Sequence, residues 1–324
     1  MDKTIPLYLI TGFLGSGKTS VINNLISQLK DKKVGLILND FGSITVDSAL
    51  VKGLSEVVST KSLSGGQIFC SCLSGSFIKS VVEMIEYHPD VIIVEASGLA
   101  KPTPLLEIVS IIQDQTHQKV TYGGMLCIVD ADRFQILRQS LKTIEEQVVF
   151  SDWFIINKSD IASKESLSST IASIESLRPL APIFTTSFGT LTSEMMRQFN
   201  ESTHTIPITL KDPTPYQGWG VHGRPNNCIF TPEAPFEISQ IEEFFTSVAP
   251  YMLRMKGFIP LKEKGKALLV DVVGKWVKVG VTDMPASQEM GVMCIYSPQH
   301  DGPSLLQEKW ALLSDSPATC IQHS

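Results

Sequence analysis

Gly12-Phe13-Leu14-Gly15-Ser16-Gly17-Lys18-Thr19, or GFLGSGKT, is the stretch that decides how this chain is read. It matches the phosphate-loop pattern G-x-x-x-x-G-K-[ST] at every fixed position. Glycines let the backbone wrap so that its N–H groups converge on phosphate oxygens. Lys18 then places a point charge on the outer phosphates, and the Thr19 hydroxyl is of the type that ligates Mg²⁺. The flanks agree: residues 5–10 form an apolar run with the look of a buried strand, and 19–29 carry Val21, Ile22, Leu25, Ile26 and Leu29 on one helical face. A strand, a glycine loop and a helix N-terminus together form an anion site. The dinucleotide fingerprint G-x-G-x-x-G fits less well, because after Gly15 and Gly17 its third position falls on Ser20. A triphosphate is therefore expected, cradled by Gly12, Gly15, Ser16, Gly17, Lys18, Thr19 and Ser20.

Composition bounds the rest. A chain of 324 residues holds about two domains of usual size, and 43% hydrophobic with 19% charged content suits a well-cored globular protein. Net charge is −6 with no basic block, so nothing electrostatic favours nucleic acid. The apolar N-terminus is broken by Pro6, Thr11 and Gly12 and has no basic leader, which argues against a signal peptide or membrane span. Six cysteines without regular spacing do not make a disulfide framework, and a cytoplasmic location is expected.

Working outward, apolar runs at 33–38, 91–94, 125–129, 153–156 and 183–186 read as strands, with a shorter one at Val57 and Val58. Helical patterns fall at 77–87 and 105–112. Several strands end in a polar or acidic residue: Glu95, Asp130, Asn157. This describes an α/β, P-loop NTPase domain over 1–210, its mostly parallel sheet flanked by helices and its site at the carboxyl edge. Residues 211–227 turn to Pro, Gly and polar types and read as a linker. Residues 228–324 form a smaller α+β domain: a strand near Ile229, a helix over 238–248, strands at 252–259, 267–273, 276–281 and 292–296, and a last helix over 304–313. Residues 314–324 are expected to fray.

Three further features carry chemistry. Asn157-Lys158-Ser159-Asp160 follows a strand and fits N-K-x-D, in which the Asp160 carboxylate accepts from the guanine ring N–H and its exocyclic amine; adenine lacks that pair. Ser187, in Thr186-Ser187-Phe188-Gly189, is a candidate to close over the base. Glu95 ends a strand where a magnesium-water ligand belongs, and Gly98 can offer its backbone N–H to a terminal phosphate; a helix-capping acid before Pro102 is the other reading of Glu95. Asp47 is a candidate to orient the attacking water, or a plain surface charge. Cys70-Ser71-Cys72 puts two thiols at i and i+2 on a glycine-bounded loop, able to converge on a soft ion such as Zn²⁺, Cu⁺ or Co²⁺. Buried small hydrophobes or a redox pair are the plainer readings of that spacing. Cys127, Cys228 and Cys294 sit in strand patterns and read as core.

Taken in order, these residues resemble the CobW-type GTPases, metallochaperone-like relatives of the urease and hydrogenase nickel-insertion GTPases. GFLGSGKT is similar to that family's phosphate loop, Asn39-Asp40-Phe41-Gly42 to its N-E-F-G switch, and the Cys70 loop to its C-x-C-C. Residues 95–102 resemble E-T-T-G-L-A-D-P, and Glu146-Gln147 through Asp152 to Asp160 resembles E-Q-x-x-x-A-D followed by N-K-x-D. Leu253-Arg254-Met255-Lys256-Gly257 is similar to L-R-x-K-G of the family's C-terminal domain. The likeness runs through residues 5–190 and, more loosely, 225–280.

The resemblance implies a GTP-hydrolysing protein with Lys18, Asp47 and Glu95 as catalytic positions and Mg²⁺ held through Thr19 and Glu95. It also implies a transition metal, Zn²⁺ or Co²⁺, at Asp40, Cys70 and Cys72. The partners implied are guanine nucleotide, a client metalloprotein or corrinoid protein, and a second copy of the chain, with neither nucleic acid nor membrane. Slow turnover is expected, since no residue fits the water-positioning Gln or arginine finger of fast GTPases. The family's third cysteine is Leu73 here, its switch Glu is shortened to Asp40, and no His-rich tract is present. Two functions stay open: metal delivery, and a GTP-dependent switch that docks on a metallocofactor or corrinoid enzyme without carrying metal.

Overall fold

The computed structural model describes residues 4–29, 31–39, 57–63, 74–202, 226–233, 236–274, 276–284, 290–296 and 300–323. Asp40, Asp47, Cys70, Cys72 and Leu73 lie outside them. The described residues divide into two compact units, the first within 4–202 and the second within 226–323.

The first unit is organised on β1 (Ile5–Thr11). Leu7 and Leu9 pack into one apolar cluster and Tyr8 and Ile10 into another, so the strand is buried on both faces. That is the position of a central strand in a parallel sheet. With β2 (Val34–Asn39), β3 (Val57–Leu63), β4 (Val91–Glu95), β5 (Val120–Asp130), β6 (Trp153–Asn157) and β7 (Ile183–Thr185) it makes a seven-stranded sheet in the order β3-β2-β4-β1-β5-β6-β7. Every pairing in it is parallel. Among the described residues the unit's α-helices are α1 (Lys18–Gln28), α2 (Ser74–Met84), α3 (Pro102–Gln115), α4 (Phe134–Ser140), α5 (Lys142–Val149), α6 (Lys164–Leu177) and α7 (Ser193–Ser202). On one sheet face Phe77, Val81 and Met84 of α2 and Leu105, Val109 and Ile112 of α3 cover Leu7, Leu9, Ile92 and Val94. On the other, Val21, Ile22, Leu25 and Ile26 of α1 cover Tyr8, Ile10, Ile93 and Ile128. Each such fully buried Leu or Ile is worth about 1.5–3 kcal/mol of transfer free energy. The chain therefore leaves β1 over the sheet's carboxyl edge and enters α1 there, which puts the phosphate loop beside the ends of β4, β5 and β6.

The second unit holds β8 (Asn226–Pro232), α8 (Ile238–Val248), β9 (Met252–Pro260), β10 (Lys266–Val273), β11 (Trp276–Asp283), β12 (Gly291–Tyr296), α9 (Gly302–Ala311) and β13 (Ala318–His323). Its six strands run β11-β10-β9-β12-β8-β13, all antiparallel. Phe230 stacks on Phe244 at 4.6 Å, and Trp310 meets both edge-on at 5.7 and 5.3 Å, joining α8 and α9 to the sheet. Two expectations need correction. β8 starts at Asn226, inside the stretch read as linker; 203–225 lie outside the described residues. Residues 318–323 do not fray: β13 pairs with β8 from Ala318↔Pro232 to His323↔Asn227, and the turn before it is fixed by Trp310 Nε1 donating to the Ser316 carbonyl at 2.7 Å.

Candidate nucleotide site

The phosphate loop is shaped by its glycines. Gly17 has φ 100° and caps α1; a Cβ on it would lie 2.2 Å from Asn157 Nδ2. Only glycine tolerates that combination. Lys18 is buried and donates from Nζ to the carbonyls of Gly12 at 3.0 Å and Phe13 at 3.2 Å, so its charge lies folded along the loop. The Ser16 hydroxyl is fully buried there with no hydrogen-bond partner. A buried orphan hydroxyl is costly unless something completes it.

Two acidic residues end strands at this sheet edge, Glu95 on β4 and Asp130 on β5. Glu95 is 4% exposed and accepts at Oε1 from the Thr19 hydroxyl at 3.5 Å. It is not the cap of α3, whose N-cap position is Lys101. Thr19 and Glu95 thus bring two oxygen donors together at the N-terminus of α1, a donor set that fits a hard cation such as Mg²⁺. After Glu95 the chain turns through Ser97, with the Ala100 N–H donating to the Ser97 carbonyl at 2.9 Å. Gly98 lies so close to the phosphate loop that a Cβ would stand 2.6 Å from the Leu14 backbone nitrogen.

The second acid, Asp130, does a different job, which the sequence did not disclose. Its Oδ2 accepts from Lys158 Nζ at 2.7 Å and its Oδ1 from the N–H groups of Asp132 and Arg133 at 3.0 and 3.2 Å. Lys158 is held left-handed at φ 64°, a conformation that persists only where partners impose it. Its neighbour Asn157 is 3% exposed and spans three segments: Nδ2 donates to the Ser16 carbonyl at 2.9 Å, and Oδ1 accepts from the Gly189 N–H at 3.0 Å. The Ser159 hydroxyl contacts the Thr186 carbonyl at 3.0 Å and the Ser187 hydroxyl at 2.9 Å. Leu191 N–H donates to Asn24 Oδ1 at 2.8 Å, tying this loop back to α1. The geometry therefore gathers Gly12 to Ser20, Glu95, Gly98, Asn157, Lys158, Ser159 and Ser187 at one sheet edge. Asp160 is exposed beside them.

Two more groups shape this edge. Gln147, 1% exposed on α5, donates from Nε2 to the carbonyls of Gly98 and Ala100, both at 3.2 Å. Its neighbour Glu146 lies 3.9 Å from Lys101 Nζ, and burial holds its carboxyl above the usual range despite that cation. Below the loop, burial pushes the Cys127 thiol up to about 12, against the opposing pull of a Ser151 hydrogen bond and the Lys18 charge.

Comparison with known proteins gives two family matches. Residues 6–185 match the CobW/HypB/UreG nucleotide-binding domain, and 226–304 match the cobalamin synthesis protein cobW C-terminal domain. A zinc chaperone CobW of Sinorhizobium sp is 32% identical over 191 residues, covering 50% of this chain and 53% of that protein. The zinc chaperone YjiA of Escherichia coli is 26% identical over 192 residues, covering 57% and 58%. The alignments thus span somewhat over half the length of these curated relatives. The Zn(II)-bound YjiA GTPase structure from E. coli aligns over 96% of this chain and 99% of its own, with 17% identity and a TM-score of 0.47. No helix among the described residues is long and apolar enough to cross a membrane. With more than half of its length matched by a single model, the chain belongs to the CobW/HypB/UreG family.

Proposed function

We propose that this chain binds and slowly hydrolyses GTP and uses the bound nucleotide to control a transition-metal site for delivery to a client. The observation that carries the first half is the approach of Thr19 Oγ1 to Glu95 Oε1, 3.5 Å, at the amino end of α1 beneath the phosphate loop. In this reading Lys18 and the amides of residues 12–20 hold the phosphates, and Gly98 offers its N–H to the terminal one. Asn157, Lys158 and Asp160 take the guanine, with Ser187 closing over it. Mg²⁺, held through Thr19 and Glu95, supplies neutralisation of charge on the outer phosphates. Asp47 is assigned to orient the attacking water.

The second half assigns Zn²⁺ or Co²⁺ to Asp40, Cys70 and Cys72. The names of the relatives, both zinc chaperones, support zinc as the first ion to test. Thiolates with a carboxylate suit such an ion, and a set short of a third cysteine suits a carrier that must release it. Calorimetry with GTP, a non-hydrolysable analogue and ATP tests the nucleotide; uptake of guanine nucleotide over ATP is expected. Zinc titrations in GDP and in the analogue test the coupling, with tighter zinc in the analogue expected. Equal zinc affinity would remove metal delivery and leave the second reading, which Leu73 in the third cysteine position favours: a GTP-dependent switch that docks on a metallocofactor or corrinoid enzyme and carries no metal.

A further inference from the structure

Gln147 is a buried polar side chain with no place in the phosphate, magnesium or guanine contacts. A carboxamide has two N–H donors, and here they go to the carbonyls on either side of Leu99, those of Gly98 and Ala100, at 3.2 Å each. The helix that carries it is fixed to the same segment a second time, through Glu146 and Lys101 at 3.9 Å. The Ser151 hydroxyl closes the helix end by donating to the Gln147 carbonyl at 2.6 Å. The segment so held runs directly from Glu95 and presses Gly98 against Leu14 of the phosphate loop. Within that segment Gly98 is the residue that stands against the phosphate loop. Holding the Gly98 and Ala100 carbonyls sets the planes of the Gly98–Leu99 and Ala100–Lys101 peptides, and with the Ala100 N–H on the Ser97 carbonyl at 2.9 Å this pins the backbone of the turn in which Gly98 presents its own N–H.

We propose that Gln147 is a positioning residue that makes the site distinguish a nucleoside triphosphate from a diphosphate. It holds the turn after Glu95 in the form whose Gly98 N–H meets a third phosphoryl group. A diphosphate makes its contacts with residues 12–20 and gains nothing from this turn. A triphosphate gains from it only while the turn is pre-organised, since a donor that must first be ordered loses part of its worth. The inference rests on the nucleotide reading above and deepens it.

The test compares Kd values for GDP and a non-hydrolysable GTP analogue in the full chain and in Gln147→Met, which keeps the volume and removes both donors. The analogue should bind about tenfold more weakly to the variant, with GDP within about twofold of the parent, the range expected from losing one to two hydrogen bonds. An unchanged ratio, or equal loss for both nucleotides, would overturn the proposal, since a purely structural role moves both together. Should Gln147→Met fail to fold, hydrogen exchange on the parent chain decides. Protection of amides 97–101 in the analogue but not in GDP supports the proposal, and equal protection overturns it. A parent chain that binds neither nucleotide would overturn the GTP reading and this inference with it, an outcome distinct from an unchanged ratio.

Discussion

Asn157 and Ser16 lie 141 positions apart in the chain, yet the Asn157 carboxamide donates to the Ser16 carbonyl at 2.9 Å in a buried contact. The same side chain accepts from the Gly189 N–H at 3.0 Å, so one residue ties the phosphate loop to both loops assigned to the base. Asn157→Ala strands a buried carbonyl and a buried amide. It should lower stability by about 2–4 kcal/mol and weaken nucleotide binding. Urea unfolding and calorimetry read the two effects; a change below about 0.5 kcal/mol would show the clamp to be dispensable.

Lys18 is held against the carbonyls of Gly12 and Phe13 and is well placed to turn onto phosphate. Lys18→Ala removes a charge-assisted contact that no neighbour replaces. Calorimetry should show guanine nucleotide affinity reduced about 100-fold, since charged hydrogen bonds are worth about 1.5–3 kcal/mol.

Asp160→Asn keeps the shape of the exposed side chain and substitutes a neutral amide for the carboxylate. Selectivity for GTP over ATP, measured by competition, should fall by about tenfold or more, because two N–H donors of guanine lose a charged acceptor. Unchanged selectivity would mean the base is bound elsewhere.

Asp152 gives a signed pH dependence. Burial is the largest influence and raises its carboxyl above the usual range, against the Met125 N–H, the Tyr122 hydroxyl at 2.7 Å and the Arg178 guanidinium, which lower it. The fold thus binds this proton more tightly than the unfolded chain. Its contribution is fully present below the ordinary aspartate range and is lost as pH rises through the folded value. The Tm of the parent minus that of Asp152→Asn should therefore decrease as pH is raised from about 4 to 7. A difference that is flat or rises with pH would contradict this assignment.

Truncation after Ser314 removes β13 and the Ser316 carbonyl that satisfies Trp310 Nε1. It would also expose the edge of β8, with Cys228 and Phe230 in its core positions. Thermal unfolding should show the second unit destabilised, with aggregation on heating. A Tm matching that of the full chain would argue that β13 is ornamental.

Legibility in the sequence followed apolar periodicity and motif density. β1, the phosphate loop and α1 were plain because a buried strand, three glycines and a one-sided helix occur together. The strand ends at Glu95, Asp130 and Asn157 were visible for the same reason. α6 left little trace: of its 14 residues only Thr170 and Ile174 are buried, so its apolar stripe is too narrow to register. α7 is polar along most of its length, with Met195 and Met196 its partly buried contacts to the core. β13 was hidden because Ile321 is 60% exposed, which erases the alternation a strand ordinarily displays. The ion pair of Asp130 with Lys158 and the bonds of Gln147 depend on tertiary approach, which spacing alone does not encode. Glu146-Gln147 could have been suspected only from its place in the family pattern.

Cys127, Cys228 and Cys294 are free thiols sealed inside their sheets, and Cys320, also free, is half-buried with its thiol hydrogen-bonded to that of Cys228, which raises its proton affinity. Thiolate is the form that reacts, so Cys127, Cys228 and Cys320 should be sluggish toward a maleimide at neutral pH, and Cys294, fully buried, is out of the reagent's reach. Native-state labelling then becomes a selective reporter. Any fast equivalents counted by mass spectrometry are then assigned to Cys70 and Cys72, and the proposal that zinc shields them can be tested without mutating a single core position.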